Sequence, residues 1–353
     1  MASIKNMVKS ILDRVAHNID IPQSLIDKHR IYLEEEEYDL WNKDCNLKSV
    51  LTLTNSQCLA IYESSGINYL LISGLDAITS DKVEECDDNL VFNLDFINNS
   101  TIQRSAHINI DYLLEYVFTG DGTSVQDILP ATIFGCFPEI RTYKFKEAVA
   151  TDDNDRLYDL KVIAYYALCQ SKNSLVLPFD ELTITDFINI ANDSNEHYPI
   201  DYLIRSLTSS TWKTSFLDIY RCIERLYSLS FLDAYRKGLN STLSPTQTRD
   251  VIKTIQRGKF ESHEDANIKH LIDLVPGSIT SLMDGILNGE TLYTWVYKRR
   301  NEIVHFQRER RSVDELTDEN WNIIFQFLLK SIRSLYITLD EYLNELPDFD
   351  VKS

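Results

Sequence analysis

Several short segments of the first half of the chain have the patterns of β-strands, either an alternation of apolar and polar residues with a period of two or a short run of mostly apolar residues. These segments are residues 50–54, 57–62, 67–72, 92–96 and 108–110. Between the second and third of them, Ser64, Ser65 and Gly66 are turn residues, so the sequence predicts a hairpin there. We therefore expect one antiparallel sheet, preceded by a short amphipathic helix at residues 4–17.

The second half of the chain follows the helical repeat of 3.6 residues instead. The segments with this repeat are residues 157–167, 180–191, 215–235, 248–256, 266–274, 279–287, 291–306 and 318–346. Residues 151–155, Thr-Asp-Asp-Asn-Asp, form a polar and charged break before them. The sequence thus predicts an α+β fold class: a mixed, β-rich domain at 1–150 and an all-α bundle at 151–353.

Composition places the chain among globular proteins. Its 353 residues are 44% hydrophobic, with 19 Tyr and 15 Phe, which is enough to fill sizeable cores. No run of eighteen apolar residues is present, and the first residues lack the apolar core of a signal peptide, so we expect a cytoplasmic protein without a membrane segment. The six cysteines form no Cys-x-x-Cys pair, which favours reduced thiols and argues against a zinc site.

The predicted helix at 291–306 brings a cation, an amide and an imidazole close together in Arg300, Asn301 and His305. Asn301 and His305 are four positions apart and share a helix face, while Arg300 lies about 100° round from Asn301. Arg can hold a phosphate through two hydrogen bonds, His can transfer a proton near neutral pH, and Asn can orient either group. The trio indicates metal-independent cleavage of RNA, with these three residues as catalytic groups and with no metal or cofactor.

This arrangement resembles the motif of the HEPN superfamily, helical domains whose ribonuclease members carry an Arg, often followed by Asn, Asp or His, and then a His. Here four residues separate Arg300 from His305, and Asn301 fills the polar position. The resemblance covers at most the last half of the chain. It implies an endoribonuclease of a toxin or anti-phage defence type, whose active form is a homodimer with two motif helices across a two-fold axis.

The charge of the chain is distributed unevenly around this motif. The net charge is −19, yet residues 298–311 contain six cations against two carboxylates and are net +4. Lys298, Arg299 and Arg308 are therefore candidate RNA-binding residues, although cations near a helix C-terminus also complement its dipole. Acidic clusters at residues 34–37 and 84–88 argue against a broad nucleic-acid channel. They suit a basic partner, with solubility as the default explanation.

The β-rich domain shows no catalytic group, so we expect it to act as a sensor or to dock a regulatory protein or a phage-derived trigger. A second interpretation keeps the fold and discards catalysis: a non-catalytic, HEPN-like helical scaffold that binds a protein partner and uses Arg300 and His305 structurally. Glu224 is an acidic group that could reach the motif, but its position beside Arg225 favours a surface ion pair.

Geometry bears on the predicted homodimer. Residues five apart on an ideal helix are separated by about 140°, so Arg300 and His305 do not point the same way on one straight helix. A two-fold contact is self-complementary, and it would bring the patch of Tyr293, Tyr297, Arg300 and Val304 against its own copy. Two facing Arg300 side chains repel each other unless an anion lies between them, which is how a phosphate site could arise.

Overall fold

The computed structural model divides the chain into two compact units, Met1–Ser174 and Leu175–Ser353. The first contains a five-stranded antiparallel sheet and the second is helical in its described parts, so the fold class is α+β. Within the described residues, no helix is both long and apolar enough to cross a membrane. The structure describes residues 2–35, 37, 45–119, 125–193, 195–255, 264–305 and 316–346.

The first unit consists of short strands and mostly short helices. The strands are β1 His29–Ile31, β2 Asn46–Thr52, β3 Cys58–Ser64, β4 Ile67–Ser73, β5 Val83–Glu85, β6 Gln126–Ile128 and β7 Ile140–Phe145. The α-helices are α1 Ala2–Val15, α2 Gln23–Ile26, α3 Leu90–Asn99, α4 Ile110–Tyr112, α5 Pro130–Phe134 and α6 Asp153–Gln170. A π-helical turn, Leu113–Val117, follows α4, and a 3₁₀ turn, Lys172–Ser174, follows α6.

The main sheet has the strand order β2-β3-β4-β7-β5, and β1 and β6 form a separate parallel pair. The predicted hairpin is confirmed: β3 and β4 are antiparallel and joined by Ser65 and Gly66, whose φ values are 50° and 78°. Positive φ at both central residues is the requirement of the tight turn that matches the twist of two adjacent strands, and Gly adopts it without steric cost. The predicted N-terminal helix is confirmed as α1.

The core of the first unit lies between the sheet and α3, and α1 packs against α3 and adds residues to the same cluster. Cys58, Ala60 and Tyr62 of β3 belong to this hydrophobic cluster, and Tyr62 stacks on Phe92 of α3 with 5.3 Å between ring centroids. β3 is buried along almost all its length, because α6 packs against β2 and β3 as well. A central strand covered in this way reads as a continuous apolar run, which explains its clear signal in the sequence.

Two predicted strands are wrong. Residues 92–96 lie in α3, and residues 108–110 lead into α4. The side chain of Asn89 accepts hydrogen bonds from the backbone N–H groups of Val91 and Phe92, at 3.0 and 3.2 Å, and so caps the start of α3. Asn109 caps α4 in the same manner. Most of α3 is buried, so its short run of alternating residues could not distinguish a strand from an enclosed helix.

The second unit is a set of helices in its described parts. They are α7 Glu181–Asn192, α8 Ile200–Thr208, α9 Trp212–Glu224, α10 Tyr227–Gly238, α11 Pro245–Ile255, α12 Glu264–Leu274, α13 Gly277–Thr280, α14 Leu292–His305, α15 Asp318–Thr338 and α16 Asp340–Glu345. The single helix predicted at 215–235 is two helices, α9 and α10. The apolar pattern continues through the break because Leu226, which lies there, is itself fully buried. The helix predicted at 279–287 is wrong beyond Thr280, where a 3₁₀ turn follows, and the one predicted at 318–346 is divided at Leu339; the helix at Ile200–Thr208 was not predicted.

The division between the units follows Ser174, whereas the sequence places the boundary near residue 150. The polar run at 151–155 is a helix start: the Asp152 side chain accepts hydrogen bonds from the backbone N–H groups of Asn154 and Asp155, at 2.9 and 3.4 Å. Acidic residues are favoured at this position because they satisfy free N–H groups and complement the helix dipole. The helix that follows, α6, packs on the sheet and belongs to the first unit.

Candidate functional site

The motif lies on α14, whose position is fixed by two buried residues, one aromatic and one aliphatic. Trp295 and Val296 are 2% and 1% exposed, and the helix packs against α9 and α12 of the same unit. Its residues up to His305 are described as regular helix, as the absence of Pro and Gly in this segment predicts. The buried pair orients one side of α14 inward, and the motif residues follow in the next turns.

Arg300 contacts two side chains among the residues that the structure describes. Its Nη1 donates a hydrogen bond to Asn301 Oδ1 at 2.9 Å, and its Nη2 donates to Glu224 Oε1 at 3.3 Å. The side chain of Arg300 is 19% exposed and that of Glu224 is 32% exposed, so this ion pair remains accessible to a solute. Glu224 does reach the motif, from the last residue of α9. A guanidinium held by an amide and a carboxylate keeps a defined orientation.

His305 is the last described residue of α14 and its side chain is exposed, whereas Asn301 is half-buried. Within the described part of the chain, no hydrogen bond joins His305 to Arg300 or to Asn301. This agrees with the angle of about 140° between residues five apart on a helix. A single helix therefore carries the cation and the imidazole on different sides. A substrate can contact both only if it reaches around the helix, or if the two groups come from two copies of the chain.

The other predicted RNA-binding cations have carboxylate partners as well. Arg299 Nη1 lies 2.9 Å from Glu302 Oε1, its side chain is 11% exposed, and its guanidinium stacks over the Trp295 ring at 5.0 Å from the centroid. Lys298 Nζ lies 3.2 Å from Glu290 Oε1 and is 40% exposed. The Lys298 ammonium group is therefore accessible to a solute, whereas the Arg299 side chain mainly makes contacts within α14. Arg308 lies outside the described residues.

The patch that would meet its own copy in a dimer is partly open to solvent. Val304 is 42% exposed, and Tyr293, Tyr297 and Arg300 are half-buried. Lys269 of α12 lies over the Tyr293 ring, with 5.9 Å from Nζ to the centroid. The patch thus combines aromatic surface with the Arg300 cation, a composition that suits both stacking on bases and contact with a second protein surface.

No group of three or more His, Cys, Asp or Glu residues within the described ranges could hold a metal ion. All six cysteines are free thiols, and burial raises the pKa of the Cys58 and Cys136 thiols to about 11. Thiols with raised pKa values are poor nucleophiles at neutral pH. On α14, the guanidinium of Arg300 is a group that can bind a phosphate and the imidazole of His305 is one that can transfer a proton.

Sequence reasoning missed the acidic side chains that hold the motif cations, apart from Glu224, for which it preferred a surface pair. Glu290 precedes α14 and contacts Lys298 from eight positions away, a separation without a regular helical signal. Glu302 stands three positions after Arg299, which is ordinary spacing for an ion pair on a helix. That spacing was the signal available for recognising Arg299 as a paired, inward residue.

Comparison with protein-family models, with curated proteins and with solved structures gave no match to the chain.

Proposed function

We propose that the second unit is a HEPN-like helical domain and that the protein is a metal-independent endoribonuclease effector, acting in the cytoplasm in a toxin or anti-phage defence role. The observation that carries the proposal is the contact of Arg300 with Glu224 and Asn301, on the same helix as an exposed His305. An oriented guanidinium and an imidazole that reach the same phosphodiester, here from two copies of α14, are the minimum needed for cleavage of that bond without a metal.

In this mechanism, His305 takes the proton from a ribose 2′-hydroxyl as the 2′-oxygen attacks phosphorus, or gives a proton to the 5′-oxygen as the P–O bond to it breaks. Arg300 stabilises the negative charge that develops on the non-bridging phosphate oxygens. Asn301, bonded to Nη1 of Arg300 at 2.9 Å, keeps the guanidinium in place. The products are a 2′,3′-cyclic phosphate, or its hydrolysis product, and a free 5′-hydroxyl.

The acidic partner of Arg300 has a role in the free protein. Glu224 neutralises the guanidinium at 3.3 Å until a phosphate competes for it. A phosphodiester carries the same single negative charge as a carboxylate, but it can accept two hydrogen bonds from Arg in place of the one that Glu224 accepts, so exchange is feasible at this accessible site. Lys298, 40% exposed, and Arg308 would add sequence-independent attraction for the RNA backbone.

The active species is proposed to be a homodimer. Arg300 and His305 lie on different sides of α14, so a complete site combines Arg300 of one copy with His305 of the other. A two-fold contact would place one patch against its own copy, and we propose the patch of Tyr293, Tyr297, Arg300 and Val304 for this contact. A phosphate bound between the two Arg300 side chains would relieve their repulsion. The first unit would act as the sensor or docking module for a regulatory protein or phage-derived trigger.

The test is cleavage of labelled single-stranded RNA by the full chain in excess EDTA. Wild-type protein should leave cyclic phosphate ends, and His305→Ala and Arg300→Ala should each lower the rate by about 10² or more. His107→Ala, which removes another exposed imidazole in the first unit, is the matched control and should keep full activity. Cleavage that stops on chelation, or that survives His305→Ala, contradicts the mechanism.

The second candidate, a non-catalytic scaffold that binds a protein partner, has one observation in its favour. Lys298, Arg299 and Arg300 each have a carboxylate within 3.3 Å, so each of the three charges is paired without a ligand. The same assay separates the two functions. A scaffold gives no cleavage in any form, and Arg300→Ala then changes only its folding stability.

A further inference from the structure

The separate parallel pair β1–β6 has one buried face and one exposed face. His29, Ile31 and Ile128 are 4%, 7% and 4% exposed, and they point into the core of the first unit. The opposite face carries Arg30 and Asp127, which are register partners and both exposed. The two faces follow from the alternation of side chains along each strand.

Apolar residues continue this exposed face on both sides of the Arg30–Asp127 pair. Val125 and Leu129 are two positions before and after Asp127, and they are 48% and 65% exposed. Tyr32 is 50% exposed, and its N–H donates to the carbonyl of Ile128 at 2.9 Å, so it lies beside Leu129 at the end of the pair. We call Tyr32, Val125 and Leu129, with Arg30 and Asp127 between them, the β1–β6 face.

An uncovered parallel pair is unusual. Parallel sheets occur almost always with both faces covered, and a strand with a partner on one side only presents free backbone groups. Within the described residues β1 and β6 pair only with each other. Contiguous exposed apolar side chains next to such an edge mark a site of interaction, whereas single exposed apolar residues need no explanation. The β1–β6 face has both features.

The charges around the face restrict what can cover it. Two residues beyond Tyr32 an acidic run begins, in which Glu34 and Glu35 are exposed. On the other side, the π-helical turn Leu113–Val117 packs against α5, the helix that starts directly after Leu129, and it presents Glu115 to solvent beside Leu114 and Tyr116. Glu34, Glu35 and Glu115 are therefore the acidic groups that the described residues place around the face, and Arg30 lies on the face itself.

We propose that the β1–β6 face is the docking site for a basic, extended segment of a partner protein, in which apolar residues alternate with Lys or Arg. Such a segment would add main-chain hydrogen bonds at the strand edge and place its apolar side chains on Val125 and Leu129. Its cations would meet Glu34, Glu35 and Glu115. A second copy of this chain, with net charge −19, would bring a like-charged rim to the same face.

This inference does not rest on ribonuclease activity, so it is tested by binding alone. A fluorescent peptide of alternating Lys and Val is titrated with the full chain, and anisotropy gives the affinity. Binding should weaken about tenfold in Leu129→Ser, because burial of one large apolar side chain is worth at least 1.4 kcal/mol. It should also weaken with added salt, as expected for a charged rim. A peptide of alternating Glu and Val should not bind.

Val176→Ser is the matched control, since Val176 is 69% exposed in the second unit and outside the proposed face. It should leave the affinity unchanged. If Leu129→Ser lowers the melting temperature, the peptide affinity of Tyr32→Ser is measured instead as the test of the β1–β6 face. The proposal is overturned if a peptide of alternating Lys and Gly binds equally well, which shows attraction by charge alone. It is also overturned if neither substitution on the face weakens binding, or if Leu129→Ser splits a dimer in sedimentation without peptide, which assigns the face to a second copy.

Discussion

Arg300 Nη2 lies 3.3 Å from Glu224 Oε1, across 76 positions of the chain. The contact joins the C-terminal end of α9 to the middle of the motif helix, and with the hydrogen bond to Asn301 it holds the guanidinium in one orientation. For the proposed function, Glu224 has two opposing effects. It holds the Arg300 guanidinium in place, and its carboxylate competes with a phosphate for that guanidinium.

Glu224→Gln should tighten RNA binding. The amide removes the competing charge while keeping the shape of the side chain, and a solvent-accessible ion pair is worth ~0.2–1 kcal/mol, which corresponds to an affinity change of about 1.4- to fivefold. The measurement is anisotropy of labelled single-stranded RNA in a His305→Ala background, which prevents cleavage. Glu319→Gln removes one exposed carboxylate from the first turn of α15 and should have a smaller effect. Equal tightening in both variants would mean that only the net charge matters.

Mixed dimers should recover activity from two inactive proteins. If each site combines Arg300 of one chain with His305 of the other, a dimer of Arg300→Ala with His305→Ala contains one intact site and one empty site. Random exchange makes half the dimers mixed, so about a quarter of wild-type activity should return. Light scattering of wild-type protein should report a dimer. A strictly monomeric protein that cleaves RNA, or a mixture that stays inactive, argues against the composite site.

The second unit should fold and act without the first when it is cut at the observed division. Residues 175–353 should be at least as active as the full chain if the first unit restrains or directs them. Residues 151–353 should be less soluble, because α6 buries Leu160, Ala164 and Leu168, and the cut removes the sheet against which that helix packs. Circular dichroism and cleavage are measured on both. A folded but inactive 175–353 would place the first unit in the active assembly.

Asp95 in α3 should make the stability of the first unit depend on pH. Desolvation by burial raises the pKa of Asp95, against the hydrogen bonds from Tyr62 and Asn99 that lower it. A carboxyl with a folded-state pKa above its unfolded value favours folding below the unfolded pKa, and this contribution is lost as the pH rises through the folded pKa. Wild-type protein should therefore lose stability over that window, as measured by urea unfolding at several pH values.

Two variants of Asp95 separate charge from hydrogen bonding. Tyr62 Oη and Asn99 Nδ2 both donate to the same oxygen, Oδ2, at 2.9 and 2.8 Å, so Asp95→Asn can keep both bonds without the buried charge. It should flatten the pH dependence and be more stable than wild type at neutral pH. Asp95→Ala leaves the Tyr62 hydroxyl without its acceptor and should cost ~1–3 kcal/mol. An unchanged pH profile in Asp95→Asn would assign the dependence to other groups.

The sequence by itself determined the elements whose residues carry their own local signal. The β3–β4 hairpin follows from two apolar runs around Ser65 and Gly66, and α14 follows from an uninterrupted helical repeat. The same local information placed Arg300, Asn301 and His305 on one helix and separated Arg300 from His305 around its axis. These features depend on neighbours within a few positions, which is why a single sequence suffices for them.

Only the tertiary structure decided the features that depend on burial and on distant partners. The run at 92–96 fits a strand or a helix equally well, and enclosure by the sheet, with the Asn89 cap, makes it a helix. α6 reads as part of the helical half, yet its packing on β2 and β3 assigns it to the first unit. Glu224 meets Arg300 because α9 packs on α14, a contact that no local spacing encodes. Long-range packing selects among conformations that local propensity leaves nearly equal in free energy.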